Sequence, residues 1–114
     1  MKTIIRTSNA PAPIGPYNQA VLVNDVLYIS GQIPADADGN LVDGSIEDET
    51  HTVMKNLRAV LEEAGMDLSH IIKTSIFISD MDQFSRINEV YGSYFTSDFP
   101  ARETVQVARL PKDV

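Results

Sequence analysis

The stretch Phe-Pro-Ala-Arg-Glu-Thr-Val-Gln-Val-Ala-Arg-Leu-Pro, residues 99–111, is the most informative part of the chain. Pro100 restricts its own φ angle and disfavours helical backbone at Phe99, so a loop is expected to end here. Residues 104–108 then alternate valine with polar or small residues, the period-two pattern of a strand. Arg102 is therefore predicted to lie at the start of a strand, where its guanidinium could bind a carboxylate or phosphate. A surface arginine in a weak ion pair is the alternative interpretation.

The sequence upstream predicts the element order β-β-β-α-β-α before this last strand. Residues 9–17 hold three prolines and a glycine and are expected to be extended loop, whereas Asn24-Asp25 is typical of a two-residue hairpin turn. The predicted strands are Thr3–Arg6, Ala20–Val23, Val26–Ile29 and Ile71–Ile78.

Two helices are predicted between these strands. Ser45 with Asp48 resembles a capping box, and apolar residues at helical spacing then continue to Gly65, so the first helix is expected over 46–64. Asp80 with Gln83 predicts the start of a second helix, whose apolar positions are Phe84, Ile87, Val90, Tyr91 and Tyr94.

The apolar pattern also predicts an assembly. The strands at 26–29 and 71–78 carry apolar residues on both faces, which indicates that both faces of the sheet are covered. Two helices suffice for one face only. A second copy of the chain is the simplest cover for the other, so a homo-oligomer is expected.

Composition excludes several classes of protein. With 114 residues the chain is long enough for one domain, and nine Lys and Arg against sixteen Asp and Glu give a net charge of −7. Nucleic-acid binding through phosphate neutralisation is therefore not expected. The absence of cysteine excludes disulfides and thiolate chemistry, and no stretch resembles a signal peptide or membrane span, so a cytoplasmic protein is expected.

No catalytic constellation is evident from spacing alone. His51 and His70 are too far apart in sequence for a helical metal pair, so no metal site is predicted. Tyr17, Gly31 and Arg102 each follow a rigid segment, and together they suggest a small polar cleft containing one cation and one phenol. Asn88 is a polar residue in the second helix that either points into such a cleft or faces water.

Four segments resemble the Rid family of reactive-intermediate (enamine/imine) deaminases, also described as translation-inhibitor proteins. They are Ile14-Gly15-Pro16-Tyr17, Ser30-Gly31-Gln32-Ile33-Pro34, Phe99-Pro100-Ala101-Arg102 and Val107-Ala108-Arg109-Leu110-Pro111. The resemblance implies a chorismate-mutase-like α+β domain over residues 1–114, with a mixed sheet, two helices on one face and homotrimeric assembly. It further implies hydrolysis of 2-aminoacrylate and 2-iminopropanoate to pyruvate and ammonia, without a cofactor, in clefts between subunits.

The resemblance also implies roles for individual residues. Arg102 would hold the substrate carboxylate and Tyr17 would act with it in catalysis. Ser30 would line the substrate cleft, the backbone N–H groups of Gly31 and Thr104 would contact the substrate, and Asn88 would contribute from the helix. Many similar proteins have cysteine where Thr104 stands. Similar proteins also continue into one more strand, carrying a glutamate thought to orient the attacking water, and no residue here matches it.

Two other functions are considered beside the deaminase. A protein that binds small 2-oxoacids without turnover could use the same Arg102 cleft. A translation-inhibiting ribonuclease is disfavoured, because the chain has a net charge of −7 and lacks a paired histidine set.

Overall fold

The computed structural model describes all 114 residues and has the predicted element order. Single 3₁₀ turns at Leu68–His70 and Met81–Gln83 accompany these elements, and the chain turns at Pro111–Asp113 with left-handed backbone at Lys112 and Asp113. The strands and helices are β1 (Thr3–Ile5), β2 (Ala20–Val23), β3 (Val26–Ile29), α1 (Ile46–Glu63), β4 (Lys73–Ile78), α2 (Phe84–Ser93) and β5 (Ala101–Gln106).

The first three strands form an antiparallel sheet in the order β1-β2-β3. Asn24 and Asp25 connect β2 to β3 with φ angles of 48° and 65°, which is the left-handed backbone that a tight hairpin turn of the primed type requires. The predicted hairpin is thereby confirmed. Its register pairs Ala20 with Ile29, which places both side chains on the face toward α1.

Helix α1 begins and ends as the sequence predicts. The Ser45 hydroxyl accepts a hydrogen bond from the Asp48 backbone N–H at 3.1 Å. At the other end Gly65 has a φ of 75°, and the Met66 N–H donates to the Leu61 carbonyl at 2.9 Å, the pattern of a Schellman cap. The helix covers the first sheet, and Val60 is fully buried there. The surrounding core residues are Ala10, Ala20, Ile5, Leu27, Ile29 and Ala59.

The second sheet is a parallel pair of β4 and β5 lying under α2. Strand β4 begins at Lys73 rather than Ile71, because Ile71 is the C-cap of the preceding 3₁₀ turn. Asp80 caps the 3₁₀ turn that leads into α2, accepting from the Asp82 N–H at 2.9 Å, so the α-helix itself starts at Phe84. The Tyr91 and Thr74 hydroxyls, 2.8 Å apart, join α2 to β4.

The strands thus form a mixed arrangement in two separate sheets, with α1 packed against α2 above them. Each sheet is covered on its helical face, and the opposite face is exposed, as the apolar pattern predicts. Large apolar side chains stand on that open face: Ile4, Val26, Tyr28, Phe77 and Val105. Neither helix has the length and apolar content needed to cross a lipid bilayer.

Candidate functional site

Arg102 lies on β5, at the edge of the second sheet and beneath α2. The strand begins at Ala101, so Arg102 is its second residue and lies at the start of the strand as predicted. Its guanidinium carbon is 5.2 Å from the centre of the Tyr91 ring and 5.4 Å from that of Phe84, both on α2. Its Nη1 atom donates to the Asn88 Oδ1 at 2.5 Å. Asn88 therefore contacts the arginine, and both residues are exposed to solvent.

No carboxylate pairs with Arg102, and this distinguishes it from two other arginines of the chain. Arg86 makes an ion pair with Glu47 through two hydrogen bonds, and these hold the pKa of the Glu47 carboxyl at about 2. Arg109 pairs with Asp113. Arg102 is oriented by one amide and two rings, and it is exposed to solvent. Its planar fork of donors is thus available to an anion from outside the chain.

Thr104 lies two residues further along β5, on the same face as Arg102. Its side-chain oxygen is the one buried side-chain nitrogen or oxygen atom in the structure that has no hydrogen-bond partner. A buried hydroxyl without a partner costs about 1–3 kcal/mol. The hydroxyl is therefore an unsatisfied polar group on the Arg102 face of β5, shielded from solvent in the single chain.

Glu103 points to the opposite face of β5, as strand alternation predicts. Its carboxylate accepts from the Ser75 hydroxyl at 2.6 Å and pairs with Lys73 at 3.1 Å. These two contacts, the serine hydrogen bond first, lower the pKa of Glu103. Because it is engaged on the open face of the sheet, Glu103 is not available to act beside Arg102.

Tyr17, Ser30 and Gly31 form a second group, near the hairpin. The Ser30 hydroxyl donates to the Asn18 carbonyl at 2.6 Å, next to Tyr17 in the chain. The Tyr17 side chain is half exposed, and Gly31 is open to solvent with no atom near the position of an added Cβ.

The loop that carries Tyr17 is held in place by Gln19, a residue that the sequence patterns did not indicate. Gln19 is only 3% exposed. Its side-chain amide accepts a hydrogen bond from the Thr7 N–H at 2.7 Å and donates to the Thr7 and Pro11 carbonyls at 3.0 and 2.9 Å. A polar residue directly before a strand gives no sequence signal of such bonds. The loop and the end of β1 border an open cavity of about 210 Å³ lined in part by Tyr17.

Within one chain, no hydrogen bond, ion pair or ring contact joins the Arg102 group to the Tyr17 group. The first comprises Arg102, Asn88 and Thr104 around α2 and β5, and the second comprises Tyr17, Ser30 and Gly31 near the hairpin. The structure thus brings the six predicted site residues together as two separate sets of three.

The two histidines are engaged in local contacts. His51 Nδ1 lies 2.8 Å from the Tyr94 hydroxyl, and His70 Nδ1 accepts from the Asp67 N–H at 3.1 Å. No group of three or more His, Asp or Glu side chains is clustered as metal ligands would be.

Comparison with known proteins defines the family. The family model for endoribonuclease L-PSP matches residues 7–114. The chain belongs to this family. A RutC family protein of Pyrococcus horikoshii is 50% identical over 115 residues, covering 100% of this chain and 91% of that protein. The human 2-iminobutanoate/2-iminopropanoate deaminase is 45% identical over 113 residues, covering 98% of this chain and 82% of the human protein.

Solved structures of the family agree with the fold. A protein of the conserved Rid family from Yersinia pestis superimposes with a TM-score of 0.96 at 49% identity, covering 99% of this chain and 91% of its own. TdcF of Escherichia coli, solved with bound serine, gives a TM-score of 0.93 at 39% identity, covering 97% of this chain and 90% of its own. The resemblance to the Rid family and the α+β fold are therefore confirmed.

Proposed function

We propose that this protein is a deaminase that hydrolyses small enamines and imines, such as 2-aminoacrylate and 2-iminopropanoate, to a 2-oxoacid and ammonia. The observation that carries the proposal is the guanidinium of Arg102, oriented by Asn88 and two rings and left without a carboxylate of its own. The activity for which the human relative is named supports the substrate class. A cytoplasmic location belongs to the same proposal.

Arg102 supplies orientation to this reaction. Two parallel hydrogen bonds from the guanidinium fix the substrate carboxylate, which places the neighbouring C=N carbon in a defined position. An enamine such as 2-aminoacrylate first tautomerises to the imine, with a proton moving from its nitrogen to its terminal carbon through solvent. The imine carbon is electrophilic already, so water can add to it without a covalent enzyme intermediate. The nitrogen then takes up a proton and leaves as ammonia, while the hydroxyl on carbon loses its proton to become the carbonyl. The Tyr17 phenol is the proposed group that donates to the nitrogen or positions the water.

We place the complete site between two copies of the chain, in a homotrimer. Tyr17, Ser30 and Gly31 of one copy would face Arg102, Asn88 and Thr104 of the next. Two features support this arrangement: the two sets do not contact each other within a chain, and the sheets expose apolar side chains on the face that no helix covers.

Sedimentation velocity tests the assembly. We expect a trimer at micromolar concentration, and the substitution of Tyr28, 63% exposed on the open face, by aspartate should dissociate it and remove activity together. Wild-type protein that sediments as a monomer while remaining active would contradict an intersubunit site.

A coupled assay tests the deaminase activity. A serine or threonine dehydratase generates the imine, and semicarbazide traps what has not been hydrolysed. Wild-type protein should shorten the lifetime of the imine, and Arg102→Ala should leave it as long as in the absence of protein. Arg109→Ala is the matched control, because that arginine is paired with Asp113. An imine lifetime that wild-type protein does not change would reject the proposal.

Binding without turnover is a second candidate, favoured by the structure of TdcF with bound serine. A sensor of this kind would use the same Arg102 contact. Calorimetry that detects binding of a 2-oxoacid, abolished in Arg102→Ala, together with an unchanged imine lifetime would select it over the deaminase.

Ribonuclease activity, the third candidate, is favoured only by the description of the family. His51 contacts Tyr94 and His70 contacts Asp67, so the two rings do not form an acid–base pair. Cleavage of RNA that persists in nuclease-free preparations of Arg102→Ala would support this candidate.

A further inference from the structure

Arg6 is a cation without an assigned role, at the end of β1. It lines the cavity of about 210 Å³ that also exposes Tyr17 and Asn18. Its guanidinium makes no ion pair or cation–π contact, although the chain has sixteen acidic residues. By contrast, Arg86, Arg109 and Lys73 are paired with carboxylates.

The cavity wall beside Arg6 is preformed. Gln19 is 3% exposed, and its amide binds the Thr7 N–H and the Thr7 and Pro11 carbonyls. These bonds fix the loop between β1 and β2 before any ligand arrives, so little ordering is needed on binding. Tyr17 and Asn18 line the same pocket as Arg6 and add a phenol and an amide to its lining.

We infer that Arg6 and Tyr17 form a second carboxylate-binding subsite. An unpaired guanidinium at an open pocket with a mainly polar lining favours a planar anion with two oxygens, and a carboxylate fits this geometry. The inference rests on the proposed function, because Tyr17 is shared with the proposed deaminase cleft. A substrate held by Arg102 of one copy would then reach Arg6 of the next copy with a terminal carboxylate. The substrate class thus includes imino and 2-oxo acids that carry a second carboxylate.

Calorimetry with a matched pair of ligands tests this inference. 2-Oxoglutarate and 2-oxopentanoate share a five-carbon chain and differ in the terminal carboxylate. One additional charge-assisted contact should make the dicarboxylate bind wild-type protein about tenfold more tightly. Arg6→Gln should remove this preference and leave the affinity for 2-oxopentanoate unchanged. Lys2→Gln is the control, because it removes the same charge from the same segment outside the cavity.

The outcomes separate this inference from the proposed function. Equal affinities of wild-type protein for the two ligands, with binding still lost in Arg102→Ala, would overturn the subsite and leave the deaminase cleft. An equal loss of the preference for the dicarboxylate in Arg6→Gln and Lys2→Gln would also overturn the subsite, because the preference would then depend on net charge alone. Binding of glutarate that needs Arg6 but not Arg102, without binding of 2-oxopentanoate, would keep the anion site and reject the proposed function. A change in the sedimentation of Arg6→Gln without a change in ligand preference would assign Arg6 to a subunit contact and overturn the inference.

Discussion

Replacement of Arg102 by lysine tests whether the shape of the guanidinium matters beyond its charge. Lysine keeps the positive charge at the second residue of β5 but provides a single ammonium in place of a planar fork. It also loses the flat surface that lies 5.2 Å and 5.4 Å from the centres of the Tyr91 and Phe84 rings. The substitution therefore separates orientation of the substrate from electrostatic attraction.

The expected magnitude follows from the lost contacts. A bidentate arginine makes two charged hydrogen bonds to a carboxylate, and a lysine in the same place makes one. A hydrogen bond to a charged group contributes about 1.5–3 kcal/mol, so kcat/KM should fall by about 10- to 150-fold. Arg102 is exposed, so the free energy of unfolding should decrease by less than about 1 kcal/mol.

The coupled imine assay and urea unfolding measure these two quantities on the same preparation. Arg109→Lys is the control, because its partner Asp113 lies outside the site. An activity of Arg102→Lys within about twofold of wild type would refute the bidentate role. A loss of stability as large as the loss of activity would instead assign Arg102 to the fold.

Three further predictions concern the site, the helix pair and the core. Thr104→Val should leave the protein as stable or up to about 1 kcal/mol more stable in urea unfolding, because the buried Thr104 hydroxyl has no hydrogen-bond partner. A destabilised valine variant would reveal a missed partner. Hydrogen bonds from Arg86 lower the pKa of Glu47 from 4.5 to about 2, so this pair stabilises the fold above pH 4.5 and the contribution is lost as the pH falls toward 2. At pH 7 the thermal midpoint of Glu47→Gln should lie below that of wild type, and this difference should shrink as the pH falls toward 2. A difference in thermal midpoint that does not depend on pH would refute the ion pair. Val60→Ala should lower the free energy of unfolding by about 2–3 kcal/mol, because Val60 is fully buried between α1 and the first sheet. A loss below about 1 kcal/mol would contradict a central position of Val60 in the core.

Local signals in the sequence predicted most of the fold. The Asn24-Asp25 turn, the Ser45 cap and Gly65 at the end of α1 act through backbone and neighbouring atoms, so short motifs identify them. The start of β4 was predicted two residues early, because apolar composition does not show that Ile71 follows a 3₁₀ turn. The pairing of strands into two separate sheets depends on contacts between distant residues and has no comparable signal.

The site was predictable in composition but not in geometry. Family resemblance indicated Arg102, Asn88 and Tyr17, and the structure shows that Asn88 contacts Arg102 while Tyr17 lies in the other group. The bonds of Gln19 and the buried hydroxyl of Thr104 arise from tertiary packing, which local sequence patterns do not encode. No contact joins the two groups within one chain, and a single sequence indicates assembly only through an uncovered apolar face.

Activity of mixed oligomers tests the central claim most directly. Arg102→Ala and Tyr17→Phe each disable one half of the proposed site, and equal amounts of the two inactive variants can be unfolded and refolded together. If each site combines Tyr17 of one copy with Arg102 of the next, random mixing leaves about a quarter of the interfaces with two intact halves. About a quarter of wild-type deaminase activity should then return. Activity that stays at the mean of the two separate variants would contradict a site shared between copies.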